Sequence, residues 1–189
     1  MKKKLIKNTT DHFEKVFHQK PKHLFLSPGR INIIGEHIDY NDGFVLPAAI
    51  DKYVCFAISK SEDSKCVIVA KDLNETFEFD WQDTLVPNAS VWINYFLGVL
   101  QQCKERQLSL KGFKIVFSST IPMGAGLSSS AALECGFAYG LSAIFGWNLS
   151  KEEIALVGQK AEHTFVGVNC GIMDQFASVF GKKMDLSLI

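Results

Sequence analysis

The sequence of 189 residues has no Cys-x-x-Cys pair, no run of like charge longer than Lys2-Lys3-Lys4, and no proline- or serine-rich linker. It carries only two arginines, Arg30 and Arg106. Each shortage excludes something. Lys and Arg number 20 against 20 Asp and Glu, so there is no general field to hold a phosphate backbone or an anionic membrane, and neither a nucleic-acid nor a membrane partner is expected. The basic run at 2–4 is followed by Asn8, Thr9, Thr10, Asp11 and His12, where a signal peptide needs ~7 or more apolar residues. No segment approaches the ~18 unbroken apolar residues of a membrane span. The five cysteines, an odd count in apolar or small-residue surroundings, read as reduced, mostly buried thiols of a cytoplasmic protein rather than a metal or redox framework.

What the chain does have is a core. Hydrophobic residues make up 47% of it, and a chain of this size buries ~70% of its unfolded surface. Without a repeat or linker, residues 1–189 are expected to form one domain or one part of a domain. Asn8, Thr9 and Thr10 offer N-caps to a short helix carrying Phe13, Val16 and Phe17. Short β-branched and aromatic runs follow at Leu24–Ile34, Phe44–Ile50, Tyr53–Ser59, Cys66–Ala70 and Thr76–Trp81. Apolar residues one turn apart predict a helix over 88–107, then a buried strand over 112–118. From Ser128 to Phe145 the only charge is Glu134, which predicts a helix buried almost all round. Ser150 and Glu153 form a capping box for a helix reaching about Phe165. Strands first and helices after indicate an α+β fold with a mixed, mainly antiparallel sheet packed with helices.

The connection Pro122-Met123-Gly124-Ala125-Gly126-Leu127-Ser128-Ser129-Ser130 leads from a buried strand into a buried helix. Glycines let backbone approach a ligand closely, and the free N–H groups and positive dipole end of the helix suit phosphate. Three hydroxyls add donors, one of which can ligate Mg²⁺. The competing reading, a Gly-rich turn with a serine N-cap, needs only one of the three serines. Neither a Walker A lysine nor a third Rossmann glycine is present.

Two other segments set charge among core-like residues. In Gly29 to Gly43, Arg30, Glu36, His37 and Asp39 exceed what a hairpin loop requires; the carboxylates and imidazole suit a sugar with several hydroxyls, and the fixed charge of Arg30 suits a transferring phosphoryl group or a structural ion pair. In Gly167 to Ser178, a tight turn leads to a helix with Asp174 near its first turn, a place that suits a carboxylate, whether as an ordinary cap or as a hydrogen-bond acceptor. Glu162 and His163 end the preceding helix; Glu162 is a hard oxygen ligand for Mg²⁺ if phosphates are near.

Taken together, Gly29 to Pro47, Pro122 to Glu134 and Cys170-Gly171-Ile172-Met173-Asp174-Gln175 resemble the galactokinases, members of the GHMP small-molecule kinase superfamily, in order from about residue 11 to about residue 182. The resemblance implies the GHMP kinase N-terminal domain and ATP-dependent phosphorylation of the anomeric hydroxyl of α-D-galactose, with ATP and galactose as substrates and Mg²⁺ as cofactor. It implies that Glu36, His37, Asp39 and Gly171 surround the sugar, that Asp174 accepts or orients the O1 proton, and that Arg30 stabilises developing charge. Gly124, Ala125, Gly126, Leu127, Ser128, Ser129 and Ser130 would wrap the phosphates, Ser130 and Glu162 would reach Mg²⁺, and Trp92 and Tyr95 would line the adenine pocket. Galactokinases are roughly twice this length, so a C-terminal GHMP half is the expected missing partner. Two alternatives share the pattern: a non-catalytic galactose and ATP sensor, from which the intact serines and Asp174 depart, and a kinase for a related sugar such as N-acetylgalactosamine. All readings require the 123–130 bend, Asp174 and the 30–39 stretch to meet at one cavity.

Overall fold

A computed structural model of the chain describes residues 1–35, 38–39, 41 and 43–181. Among these residues five strands and five α-helices run in the order α1 (Lys2–Phe17), β1 (His23–Ile34), β2 (Leu46–Lys60), β3 (Lys65–Ala70), β4 (Glu75–Asp80), α2 (Val91–Glu105), β5 (Phe113–Ser119), α3 (Ser129–Phe145), α4 (Lys151–Ala161) and α5 (Met173–Phe180), with a π-helical turn at Glu162–Val166 after α4. The sheet order is β1-β2-β5-β3-β4. All neighbours are antiparallel except β3 and β5, which is the mixed, mainly antiparallel α+β arrangement expected.

Alternation along the central strands sorts the core into two layers. Val54, Phe56 and Ile58 of β2, Cys66, Ile68 and Ala70 of β3, and Phe113, Ile115 and Phe117 of β5 face α2, α3 and α4 in one large cluster. Ala57, Val69 and Val116 point the other way, onto Phe13 of α1. Each fully buried side chain of this kind contributes roughly 1.5–3 kcal/mol, so the helical layer on the larger face is held firmly. Of α3, the residues Ala131 to Ala138 are all buried; this helix is indeed enclosed nearly all round. Gly136 lets it press on the sheet, since a Cβ there would lie 2.5 Å from Phe56 Cε2 and 2.6 Å from Ser27 Cβ.

Three sequence expectations need correction. Helix α1 starts at Lys2, and Asn8, Thr9 and Thr10 are not caps: buried Thr9 donates its hydroxyl back to Leu5 O at 2.9 Å, inside the helix. The runs 44–50 and 53–59 are one strand, β2, whose pairing with β1 slips between Pro28–Tyr53 and Arg30–Ala49; the polar Asp51-Lys52 break in the sequence falls on that irregularity, not on a turn. Helix α4 keeps its capping box, with Glu153 N donating to Ser150 Oγ at 3.1 Å and Ser150 N to Glu153 Oε2 at 2.8 Å, but ends at Ala161, where the π turn takes over. Cysteines 55, 66, 103, 135 and 170 are all free, the first four buried. Among the described residues no helix is long and apolar enough to cross a membrane.

Candidate active site

The site begins with the slip in β1. An irregularity next to a functional site re-aims a side chain, and here it lies at Gly29, immediately before Arg30. Gly29 also lets the strand run against the glycine-serine loop: a Cβ there would sit 2.7 Å from Leu127 O, and Arg30 N donates to that same carbonyl at 3.1 Å. The Arg30 guanidinium then bridges two segments. Its Nε donates to Asp174 Oδ1 at 2.6 Å, its Nη2 lies 2.6 Å from the same oxygen, and its Nη1 donates to Gly126 O at 2.6 Å. The other carboxylate oxygen of Asp174 accepts the Ser128 hydroxyl. The Asp174 side chain remains a quarter exposed, and the residue sits in the first turn of α5.

Ser128 adopts a left-handed backbone, φ 52°, at the start of α3. Its hydroxyl is spent on Asp174, and among the described residues no side chain caps the helix. The serine-cap reading of this loop therefore gives way: the first N–H groups of α3 lack a side-chain cap and have the positive end of the dipole behind them, next to Gly124 and Gly126 at φ 68° and 67°. A cavity of about 310 Å³ adjoins them, lined by Trp92, Tyr95, Phe117, Leu133, Ser129 and Ser130. The indole N–H of Trp92 is fixed on Glu75 Oε2 at 2.6 Å, so the ring is held at the wall.

Below α3 lies a buried acidic group. Glu162 opens the π turn and is 8% exposed. Burial raises its pKa, and the Ser130 hydroxyl and Cys170 thiol beside it draw it back. Gln175 Nε2 donates to its Oε2 at 3.1 Å. Glu134 is fully buried, and among the described residues neither of its oxygens has a hydrogen-bond partner. Burial, reinforced by the charges of Glu162 and Asp174, pushes its pKa well above the ordinary carboxylate range; Gln175 beside it acts in the opposite direction without reaching hydrogen-bond geometry. Glu134 and Gln175 were given no role by sequence reasoning, although a lone charge in an apolar helix was a signal for the first.

The turn before α5 brings in Asp39. Gln159 Nε2 and His163 Nε2 both lie on Cys170 O, at 3.3 and 2.9 Å, which presses the 167–171 turn onto α4. Gly171 is then packed against the Asp39 carboxylate so closely that a Cβ would overlap its Oδ2 and Cγ and lie 2.9 Å from Oδ1. Thus Arg30, Gly126, Ser128 and Asp174 are tied together by hydrogen bonds, the Asp39–Gly171 contact lies three residues before Asp174 in the chain, and Ser129, Ser130, Trp92 and Tyr95 line the neighbouring cavity, whose wall includes neither Arg30 nor Asp174. Glu36 and His37 lie outside the described residues.

For a cation, Ser130 and Glu162 offer one hydroxyl and one carboxylate, both hard donors, beside the uncapped helix end. Among the described residues no group of three or more His, Cys, Asp or Glu gathers that could hold a metal alone. That donor set fits Mg²⁺, which is held by one or two protein oxygens together with substrate phosphates and waters.

Residues 94–182 match the family model of the GHMP kinases N terminal domain, and residues 11–60 match the galactokinase galactose-binding signature. The chain belongs to the GHMP kinases. Within that family it is 50% identical over 157 residues to a galactokinase of Thermosipho africanus and 48% to one of Thermotoga maritima, each alignment covering 83% of this chain and 43% of the relative. The chain therefore spans less than half the length of the curated relatives it matches. Its structure superposes on Lactococcus lactis galactokinase complexed with galactose with a TM-score of 0.83 at 34% identity, over 95% of this chain and 50% of that one. The mevalonate kinase of Methanococcus jannaschii shares the fold, with a TM-score of 0.78 at 23% identity, over 88% and 53%.

Proposed function

We propose that this chain is the sugar- and phosphate-binding half of a cytoplasmic galactokinase, which transfers the γ-phosphoryl group of ATP to the anomeric hydroxyl of α-D-galactose. The observation that carries the reading is the meeting of Asp174, Arg30 and Ser128 at the uncapped end of α3. Galactose lies against Asp39 and Gly171, with Glu36 and His37 completing its hydroxyl partners. Carboxylates so placed reject a sugar lacking the matching hydroxyl, because a buried acceptor is then left unpaired. The triphosphate lies along 124–130, on backbone N–H groups and serine hydroxyls, and the adenine enters the cavity beside Trp92 and Tyr95.

In the reaction a bond forms between sugar O1 and the γ-phosphorus, the bond from that phosphorus to the β–γ bridging oxygen breaks, ADP leaves, and the O1 proton passes to Asp174. Arg30 holds the carboxylate in line and puts its charge where the phosphoryl oxygens gain theirs. Mg²⁺, held by Ser130 and Glu162, supplies neutralisation of phosphate charge when bound. The relatives' length makes a C-terminal half the natural partner that completes the cleft.

The test is Asp174→Asn, assayed for turnover by the chain alone and with the C-terminal half of a galactokinase supplied. Turnover is expected to fall by roughly 10²–10⁴-fold, the range for loss of a general base, with galactose affinity kept within a few-fold in calorimetry. Undiminished turnover in a folded Asp174→Asn protein refutes the assigned role.

A further inference from the structure

Four buried or half-buried side chains are arranged as a ring behind the candidate active site, with Gln175 and Glu162 hydrogen-bonded to each other. Ser130 and Glu134 lie four residues apart on α3 and so share one face of it. Glu162, on the π turn, is adjacent to Ser130. Gln175, on α5, is wholly buried and donates its Nε2 to Glu162 Oε2 at 3.1 Å, with Cys170 Sγ 3.7 Å away. Glu134 and Gln175 are packed together under Gly158 of α4: a Cβ on that glycine would lie 3.3 Å from Gln175 Cγ and 3.6 Å from Glu134 Cβ. Both side chains are fully buried.

Three buried acceptor atoms in the ring lack donors among the described residues: both Glu134 carboxyl oxygens and Gln175 Oε1. An amide with one end free can turn over, and turned over it would present oxygen to the Glu162 carboxylate. The buried side chain packed beside that amide is Glu134, whose oxygens have no hydrogen-bond partner among the described residues. We propose that Gln175 is a positioning residue that fixes the Glu162 carboxylate toward Ser130, and that Glu134 holds the Gln175 amide in the orientation that does so. Because Gln175 follows Asp174 on α5, one helical turn then sets both the acid at the sugar and the carboxylate at the phosphates.

The inference rests on the kinase reading for its consequence but not for its geometry, and the test separates the two. Gln175→Met keeps the length and removes the amide; Glu134→Leu removes the hydrogen-bonding end, and Glu134→Gln restores one. In calorimetry, Gln175→Met and Glu134→Leu are expected to weaken ATP binding in Mg²⁺ by 10-fold or more and binding in EDTA by less than twofold, with Glu134→Gln recovering most of the loss. In ¹⁵N-edited spectra the Gln175 side-chain NH₂ is expected to exchange with solvent far more slowly than that of exposed Gln107, and to lose that protection in Glu134→Leu. Folded Gln175→Met with an unchanged Mg²⁺ effect overturns the positioning role. Fast exchange of the Gln175 amide in the parent chain overturns the ring. Absence of ATP binding by the parent chain sinks the nucleotide reading alone, and the exchange measurement still decides the ring.

Discussion

Replacing Gly171 by alanine is the sharpest probe of how the proposed sugar side of the site is built. Its backbone is not in the left-handed region, so alanine brings no backbone strain. The added Cβ meets the end of a side chain, the Asp39 carboxylate, rather than backbone. The carboxylate must move by on the order of 1 Å to restore ordinary contact distances. Moving it costs the fold little, because its far end is free to rotate, and the loss of unfolded-chain entropy on Gly→Ala offsets about 0.4–1 kcal/mol. The Tm is therefore expected to stay within a few degrees of the parent. Galactose affinity is another matter. A charge-assisted hydrogen bond from a sugar hydroxyl is worth about 1.5–3 kcal/mol, so losing it weakens binding about 10- to 150-fold. The assay is calorimetric titration with galactose, alongside thermal unfolding, of Gly171→Ala, Asp39→Ala and the double variant. Since both changes remove the same contact, the double variant should bind no more weakly than Asp39→Ala, a clear departure from additivity. Parent-like galactose affinity in Gly171→Ala, or a collapse of the Tm, would show that Asp39 does not occupy that space in solution.

Gly136→Ala puts its Cβ 2.5 Å from Phe56 Cε2 in the core, where nothing can rotate away; overpacking should cost about 1–3 kcal/mol, read as a Tm lowered by several degrees with no selective loss of ligand. Trp92→Ala removes the wall of the cavity beside Ser129 and Ser130; ATP affinity should fall by about 1–3 kcal/mol, the value of one base on an aromatic ring, while galactose titrations stay as in the parent. Glu134 binds its proton more tightly folded than unfolded. Above about pH 4.5, where the unfolded glutamate ionises, its contribution therefore falls with rising pH, by up to about 1.4 kcal/mol per pH unit. Glu134→Gln lacks that loss, so its Tm relative to the parent should climb between pH 5 and 7; a constant difference would contradict a buried neutral carboxyl.

The legible parts of the fold were those that depend on local spacing. The capping box at Ser150 and Glu153, the buried run of α3 and the strand alternation all follow from contacts within a turn or along a strand. Thr9 misled because a hydroxyl bonding back to its own helix looks the same in sequence as one that caps the next. Asp51-Lys52 misled because a slipped register exposes residues just as a turn does. Within the site, the segments bearing Arg30, Ser128 and Asp174 stood out, but the hydrogen bonds that tie them span 96 to 144 residues of chain between Arg30 and its two partners, and no short-range pattern encodes them. Gln175 was missed for a related reason: a glutamine's worth depends on which buried groups surround it.

The five-residue wider turn at Glu162–Val166 has an implication for how this chain tolerates length changes. A π turn holds one residue more than the α-helix it interrupts. Removing any one of those five changes which residues stand opposite Cys170 and Gln175, the partners of His163 and Glu162. His163 would leave the Cys170 carbonyl, and the path to Asp39 and Asp174 would be re-aimed together. A single-codon deletion there is thus expected to erase ligand binding while leaving most of the sheet intact, whereas one in the β3–β4 turn at 71–74 should disturb its own corner.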